Sequence, residues 1–362
     1  MSLIIGLGVV LVLAILYMIF RIGNLVGLVK NENEQEDLSS GNSIHAYLFM
    51  AFIIFGLGLF FWYSFAHFDS YVLPVASEHG VLTDYLFWVT MVVIVVAFTV
   101  ISLAMFWFTF KYRYNKDRRA EYIADNHILE IVWTIVPAIV LSLLIFTGLR
   151  AWNDITGPAS KEAEVIELVG QQWSWTARYP GVKDNMLGHH NYKLIDASNE
   201  FGLDLTDRNS FDDFKSLELH LPKGKEVSLK IRAKDVLHSV FLPHFRVKMD
   251  AVPGMQTTFK FVATKTTQEM RDETGNSKFN YEMACTEICG KGHFSMRFLV
   301  VVDEPEVYEK WKASQEAWLK LNPEYLKYVP AALQEAAMIN AGIENNTNAA
   351  TQVVVSAVSI AN

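Results

Sequence analysis

The sequence predicts membrane α-helices plus an all-β domain: four N-terminal transmembrane helices, then a β-sandwich or Greek-key barrel closed by a C-terminal helix. Three observations carry this. Of the 362 residues 51% are hydrophobic, with a mean hydropathy of +0.20, too apolar for an ordinary soluble chain of this length. The apolar residues gather in four long runs within the first 150 positions. Beyond them, short stretches alternate apolar and polar residues, the period of half-buried strands.

The four runs cover residues 3–20, 47–65, 85–110 and 131–149, each close to the roughly 20 residues that span a bilayer as a helix. No Lys or Arg precedes the first run and no clear small-residue cleavage site follows it, so it reads as a retained anchor rather than a signal peptide. Loop charges set the orientation. The stretch 21–43 carries Arg21 and Lys30, the loop 66–84 carries no Lys or Arg, and the loop 111–127 carries Lys111, Arg113, Lys116, Arg118 and Arg119. Positive residues stay inside, so the first and third loops are cytoplasmic, and the N-terminus and everything after Arg150 lie outside. The first two spans hold no ligand cluster or buried charge, which leaves them packing and assembly roles rather than catalysis. The acidic stretch with Glu32, Glu34, Glu36 and Asp37 reads as a solvated connector.

Residues 162–302 read as the β-domain. Val227, Leu229 and Ile231 alternate with Ser228, Lys230 and Arg232; Phe259 and Phe261 mark a second strand, and residues 298–302 a third. The polar stretch 183–213 is expected to be an extended loop on the sandwich. From 304 to about 338 the pattern turns helical around Trp311, Trp318 and Leu321, and 345–362 is expected to be a mobile tail. The expected segments are therefore 1–44 (an extra span and the connector), 45–70 (a second extra span), 71–152 (a helical hairpin), 153–303 (the β-domain), 304–340 (the C-terminal helix) and 341–362 (the tail). The formal charge of −8 does not suit a nucleic acid partner, which needs clustered Lys and Arg. It suits a basic protein partner steered by charge, or solubility alone.

The only two cysteines are Cys285 and Cys289, too few for a disulfide scaffold and outside any CxxCH haem-attachment motif. By themselves they point to a metal site or to one disulfide. They lie in CTEICGKGHFSM, residues 285–296, where His293 and Met296 follow within twelve positions. Thiolate and thioether are soft ligands and imidazole suits copper, while zinc sites rarely use Met, so the set favours copper. His238, in the run Asp235-Val236-Leu237-His238, offers a second imidazole; alone it would read as a packed histidine.

The pattern CxEICxxxHxxM preceded by DVLHS resembles the dinuclear copper (CuA) signature of subunit II of cytochrome c oxidase. NHILEIVWTIVP (126–137) resembles the start of that family's last transmembrane helix, GQQWSW (170–175) its aromatic strand, and KMDAVPG (248–254) the segment between the first histidine and the cysteines. The resemblance covers roughly 84–320. It implies a cupredoxin-like Greek-key sandwich in which Cys285 and Cys289 bridge two coppers, His238 and His293 each bind one, and Met296 is a weak axial ligand. It further implies that Glu287 lends its backbone carbonyl to copper and its side chain to a magnesium ion shared with subunit I. Trp173 resembles the exposed aromatic at which the electron enters from a c-type cytochrome; without the motif it would read as an ordinary strand-edge or core tryptophan. Asp235 and Asp250 resemble acidic residues near the donor-docking face, or are solvated loop carboxylates. Glu130 resembles a glutamate at the cytoplasmic mouth of a proton channel, or a helix-end charge that snorkels. The implied partners are subunit I, other oxidase subunits, the cytochrome donor and the lipid membrane. The implied location is a bacterial-type inner (plasma) membrane with the copper domain on the periplasmic side.

Two other families share parts of the pattern. Membrane-anchored copper chaperones of the Sco type use a CxxxC pair and a distant His, but place that His downstream of the pair, whereas His238 lies upstream here. Quinol oxidase subunit II lacks the copper ligands that this chain keeps. The chain also departs from the family it resembles: two spans precede the usual two, and Met255 stands where many members have Arg. His189, His190, His220 and His244 fall outside the motif and read as surface or structural residues, and no fused c-type haem domain is expected.

Overall fold

The computed structural model describes residues 2–30, 38–115, 117–182 and 185–343. The acidic connector and the expected tail, from 344 on, lie outside the described residues. The helical region comprises α1 (Ser2–Lys30), α2 (Leu38–Ala66), the single turn α3 (Phe68–Tyr71), α4 (Glu78–Lys111) and α5 (His127–Thr156). Among the described residues three stretches are long and apolar enough to cross a membrane: Gly41–Ala66, Glu78–Lys111 and His127–Thr156. In α1 the corresponding stretch, Val10–Val26, is shorter.

Two compact units emerge. One takes in α1 to α3 with residues 90–137, the other 72–89 with everything described from 138 on. In the first unit α2 lies antiparallel along α4 through a seam of rings. Tyr47 meets Phe110 at 5.1 Å, Phe52 meets Phe106 at 5.9 Å, and Phe60 meets Phe98 at 6.1 Å between centroids. Such tilted and edge-on pairs add specific packing where lipid offers no hydrophobic gain for helix association. The second unit includes the first turns of α4. Arg246 clasps Asp84 with two bonds, Nε to Oδ1 at 2.7 Å and Nη2 to Oδ2 at 2.9 Å, and Ser77 Oγ donates to the Phe245 carbonyl at 2.7 Å. Within this unit the first turns of α4 are thus joined to the β-domain by side-chain bonds.

The β-domain is two five-stranded sheets. The first has the order β3 (Phe214–Ser216), β2 (Ser174–Tyr179), β1 (Glu164–Gln171), β5 (Glu226–Ala233), β8 (Thr257–Val262). The second has the order β4 (Leu219–Pro222), β10 (Arg297–Asp303), β9 (Tyr281–Cys285), β6 (His238–Leu242), β7 (Val247–Ala251). Most pairs are antiparallel; β1 with β5 and β10 with β4 are parallel. The expected alternation holds: Val227, Leu229 and Ile231 are fully buried, and with Leu168, Val240 and Val300 they fill the space between the sheets. A helix α6 (Thr267–Thr274), opened by a Thr266/Glu269 capping box, precedes β9.

The polar stretch 183–213 does more than loop. Its apolar residues Phe201, Leu203, Leu205 and Phe211 are buried against Trp318 and Leu319 of α8 (Trp318–Leu321) and Ala337 of α9 (Gln334–Ala341), forming a second core that reaches Val169 of β1. α8 follows α7 (Pro305–Ala313), whose Trp311 stacks on His220 at 3.9 Å. Between strand face and cover lies a buried ionic network. Arg178 donates from Nε to Glu167 Oε2 at 2.6 Å and from Nη1 to Asp213 Oδ2 at 2.7 Å and to the Gly188 carbonyl at 2.9 Å. Arg232 donates from Nε to Glu167 Oε1 at 2.6 Å.

Burial by itself would raise the Glu167 carboxyl, but the two guanidiniums overcome it and bring the group from 4.5 to about 2. Burial pushes Asp213, whose cationic partner is Arg178, the other way, up to about 7. A depression of the size seen at Glu167 corresponds to roughly 3 kcal/mol of stability. Because the folded-state value is the lower one, that stability is present above pH 4.5 and is lost as pH falls towards about 2. The stability gap between the wild-type chain and Glu167→Gln, followed by circular dichroism during unfolding, is expected to close over this window. A gap independent of pH would refute the role of the network.

Candidate metal centre

The donors converge at one end of the sandwich, and strand pairing explains how. Val240 of β6 lies opposite Cys285 of β9, so His238, two residues earlier on β6, comes against the end of β9 although 47 positions separate it from Cys285 in sequence. The β9–β10 connection then turns back on itself. The backbone N–H of Cys285 donates to the Met296 carbonyl at 3.1 Å, and a single 3-10 turn at His293–Ser295 returns Met296 to the core.

The resulting distances are short. Cys285 Sγ stands 3.9 Å from His238 Nδ1, 3.9 Å from Cys289 Sγ and 3.3 Å from the Glu287 carbonyl. Cys289 Sγ stands 3.6 Å from His293 Nδ1 and 3.7 Å from Met296 Sδ. Both cysteines are free, and their separation far exceeds the roughly 2.05 Å of a disulfide. Two donors bound to one tetrahedral cation at about 2.3 Å from each lie about 3.8 Å apart, which is the spacing found here. His238, Cys285, Cys289 and Met296 are buried, and His293 is half-buried. Burial, with Cys285 alongside, pushes the Cys289 thiol up to about 11; a cation between the sulfurs reverses this, since the thiolate is the ligating form. The donor set thus fits a soft, thiolate-preferring metal.

A layer of hydrogen bonds surrounds these donors. His238 Nε2 lies 2.9 Å from Asp235 Oδ1, and Asp235 Oδ2 accepts from the backbone N–H of Gln172 at 2.7 Å. Burial raises the Asp235 carboxyl, but the bonds from His238, Gln172 and Val236 outweigh it and hold the group below its usual range. On the other side, Gln172 Nε2 and Trp173 Nε1 both donate to the Cys289 carbonyl, at 2.8 and 3.0 Å. The Trp173 ring lies over Gly292, where an added Cβ would meet it at 2.5 Å, so only glycine leaves it room. Trp173 is 43% exposed and therefore faces both solvent and the cysteine loop. Ile288 and Phe294, each adjacent in sequence to a metal-donor residue, are each 83% exposed.

Of the residues singled out from sequence, His238, Cys285, Cys289, His293, Met296 and the Glu287 carbonyl come together, with Trp173 beside them. Asp235 also belongs to the site, but its oxygens turn inward to His238 and Gln172. Asp250 sits exposed on β7 opposite Ser239, 3.5 Å from Lys248. Glu130 is in the first turn of α5, 3.5 Å from His127, in the helical unit. Gln172 was not singled out, although it stands within the aromatic motif; nothing in the sequence shows that its side chain reaches a carbonyl 117 positions away.

Residues 164–303 match the family described as cytochrome C oxidase subunit II, periplasmic domain, and residues 62–151 the corresponding transmembrane domain. The chain is 33% identical over 255 residues to the alternative cytochrome c oxidase subunit 2 of Bradyrhizobium diazoefficiens, covering 69% of this chain and 85% of that one. It is 29% identical over 269 residues to cytochrome c oxidase subunit 2 of Thermostichus vulcanus, covering 67% of this chain and 77% of that one. Among solved structures, the periplasmic domain of subunit II of the Bradyrhizobium japonicum cytochrome oxidase is similar at 24% identity, over 44% of this chain and 94% of that one, with a TM-score of 0.29. The transmembrane match begins at residue 62, so α1 and most of α2 precede it.

Proposed function

Since the chain belongs to the cytochrome c oxidase subunit II family, we propose that it is the electron-accepting subunit of a haem-copper oxidase. It takes electrons from a c-type cytochrome at a dinuclear copper centre and passes them to the haem of subunit I, where oxygen is reduced and protons are pumped. The observation that carries this reading is the convergence of two cysteine sulfurs, two imidazole nitrogens, a thioether and a backbone carbonyl within 3.3–3.9 Å of one another in pairs. Copper held there by Cys285, Cys289, His238, His293 and Met296 would supply a one-electron store.

The protein's own contribution is rigidity. His238 and Cys285 sit on paired strands, and Cys289, His293 and Met296 on a connection pinned by backbone bonds; fixed ligands leave little to rearrange when charge changes. Trp173, with Ile288 and Phe294, offers the donor an exposed apolar edge beside the ligands. In this reading the β-domain is periplasmic, since Lys111, Arg113, Arg118 and Arg119 fall in the one strongly basic loop. All four helices α1, α2, α4 and α5 span the membrane, with α1 and α2 serving assembly. By the family resemblance, Glu287 would offer its carboxylate to a magnesium ion shared with subunit I, and Glu130 would stand at a proton-channel mouth.

Metal analysis of the full-length chain purified in detergent tests the proposal. It is expected to give two coppers per chain and a purple mixed-valence absorption spectrum. One copper per chain, or zinc in its place, would overturn it.

A further inference from the structure

The resemblance to known subunits puts Asp235 at the donor-docking face, where a carboxylate would act through its charge on the approaching partner. Its geometry is different. The side chain is only 33% exposed, and both oxygens are spent on the protein. Oδ1 takes the Nε2 proton of His238 at 2.9 Å and the backbone N–H of Val236 at 2.7 Å, while Oδ2 takes the backbone N–H of Gln172 at 2.7 Å. Gln172 and Trp173 in turn hold the Cys289 carbonyl. The bonds form a closed circuit from one ligand, His238, through Asp235 and the Gln172–Trp173 turn, to another ligand, Cys289.

We propose that Asp235 is a positioning residue that fixes the tautomer and orientation of His238 and, through the same carboxylate, locks the Gln172–Trp173 turn onto the cysteine loop. A carboxylate on Nε2 assigns the ring proton to that nitrogen and leaves the Nδ1 lone pair facing Cys285, from which it is 3.9 Å away. Such a partner makes the imidazole a stronger donor and adds negative charge near the metal, both of which favour its oxidised form. Trp173 then stands where a donor can touch it because the carboxylate that orients His238 also holds the preceding residue. This inference rests on the reading of His238 as a copper ligand.

The test uses the full-length chain carrying copper, compared with Asp235→Asn, Asp235→Glu and Asp250→Asn. Asn still accepts from His238 but loses the charge, and it cannot accept from Gln172 if its amide nitrogen faces that N–H. Asp235→Asn is expected to weaken copper retention against a chelator by about 10-fold, to shift the midpoint potential upward, and to change the copper hyperfine pattern in the electron paramagnetic resonance spectrum. Asp235→Glu, which restores charge and acceptor, is expected to move the potential part of the way back. Asp250→Asn, an exposed carboxylate, is expected to leave potential and spectrum where they are.

An Asp235→Asn chain with unchanged potential, spectrum and copper retention, but a salt-dependent rise in the KM for the cytochrome, would overturn the proposal and leave Asp235 a docking charge. If Asp235→Asn loses its native circular dichroism, Asp235→Ser decides in its place: a raised potential with native circular dichroism supports positioning, and a wild-type potential overturns it. A wild-type chain that binds no copper pair would instead sink the function on which the inference rests.

Discussion

Cys289→Ser in the full-length chain is expected to abolish the dinuclear copper centre and with it the oxidation of cytochrome c. Each sulfur lies within 3.9 Å of the other and of separate further donors, so in the proposed centre each would serve both halves. A serine hydroxyl is a hard, protonated oxygen at neutral pH and does not replace a soft thiolate bridge. No other thiol can substitute, because Cys285 is the only remaining cysteine. The fold is expected to survive. Cys289 lies on a loop at the end of the sandwich, and Ser is nearly isosteric with Cys. Native circular dichroism with loss of the purple spectrum, and with at most one copper retained, is the expected result. A dinuclear spectrum surviving in Cys289→Ser would refute the ligand assignment.

Trp173→Phe is expected to slow electron uptake from the cytochrome while leaving copper content and spectrum unchanged. The indole is an exposed aromatic side chain that makes a direct bond to the cysteine loop, from Nε1 to the Cys289 carbonyl at 3.0 Å. That carbonyl belongs to Cys289, whose sulfur is one of the candidate metal donors, so the bond gives a short path from the surface to the proposed centre. Phe keeps an apolar face for docking but has no N–H, and the path loses its link. A fall in kcat/KM of about tenfold or more, the equivalent of about 1.4 kcal/mol in the transition state, is expected in steady-state cytochrome oxidation. Normal kinetics in Trp173→Phe would remove Trp173 from the path.

The family and four of the candidate donors were legible because the chemistry is local. Cys285, Cys289, His293 and Met296 fall within twelve residues, and soft donors at that density have few uses besides a metal. The helices were legible for a similar reason. A run of about 20 apolar residues satisfies the bilayer by composition alone, and α2, α4 and α5 formed where such runs lie. Strand β5 could be read from Val227, Leu229 and Ile231, whose period of two belongs to the pleat itself.

What sequence could not show depended on residues distant in the chain. The stretch 183–213 looked like a solvated loop because its apolar residues are sparse and aperiodic. Val169 of β1 together with α8 and α9, more than a hundred residues later, gives Phe201, Leu203 and Phe211 something to bury against. That cover turns Glu167, Arg178 and Arg232, which would be solvent-facing on an open sheet, into a buried network. Asp235 followed the same rule at the metal centre. In sequence it is a loop carboxylate three residues before a histidine. The parallel pairing of β1 with β5 is what brings the Gln172 N–H to its free oxygen. Local spacing identified Cys285, Cys289, His293 and Met296 as candidate donors, and strand pairing brought His238 to them. Strand register decided which neighbours orient them, because hydrogen bonds reach about 3 Å and only the folded chain brings residues 60 to 120 positions apart within that distance.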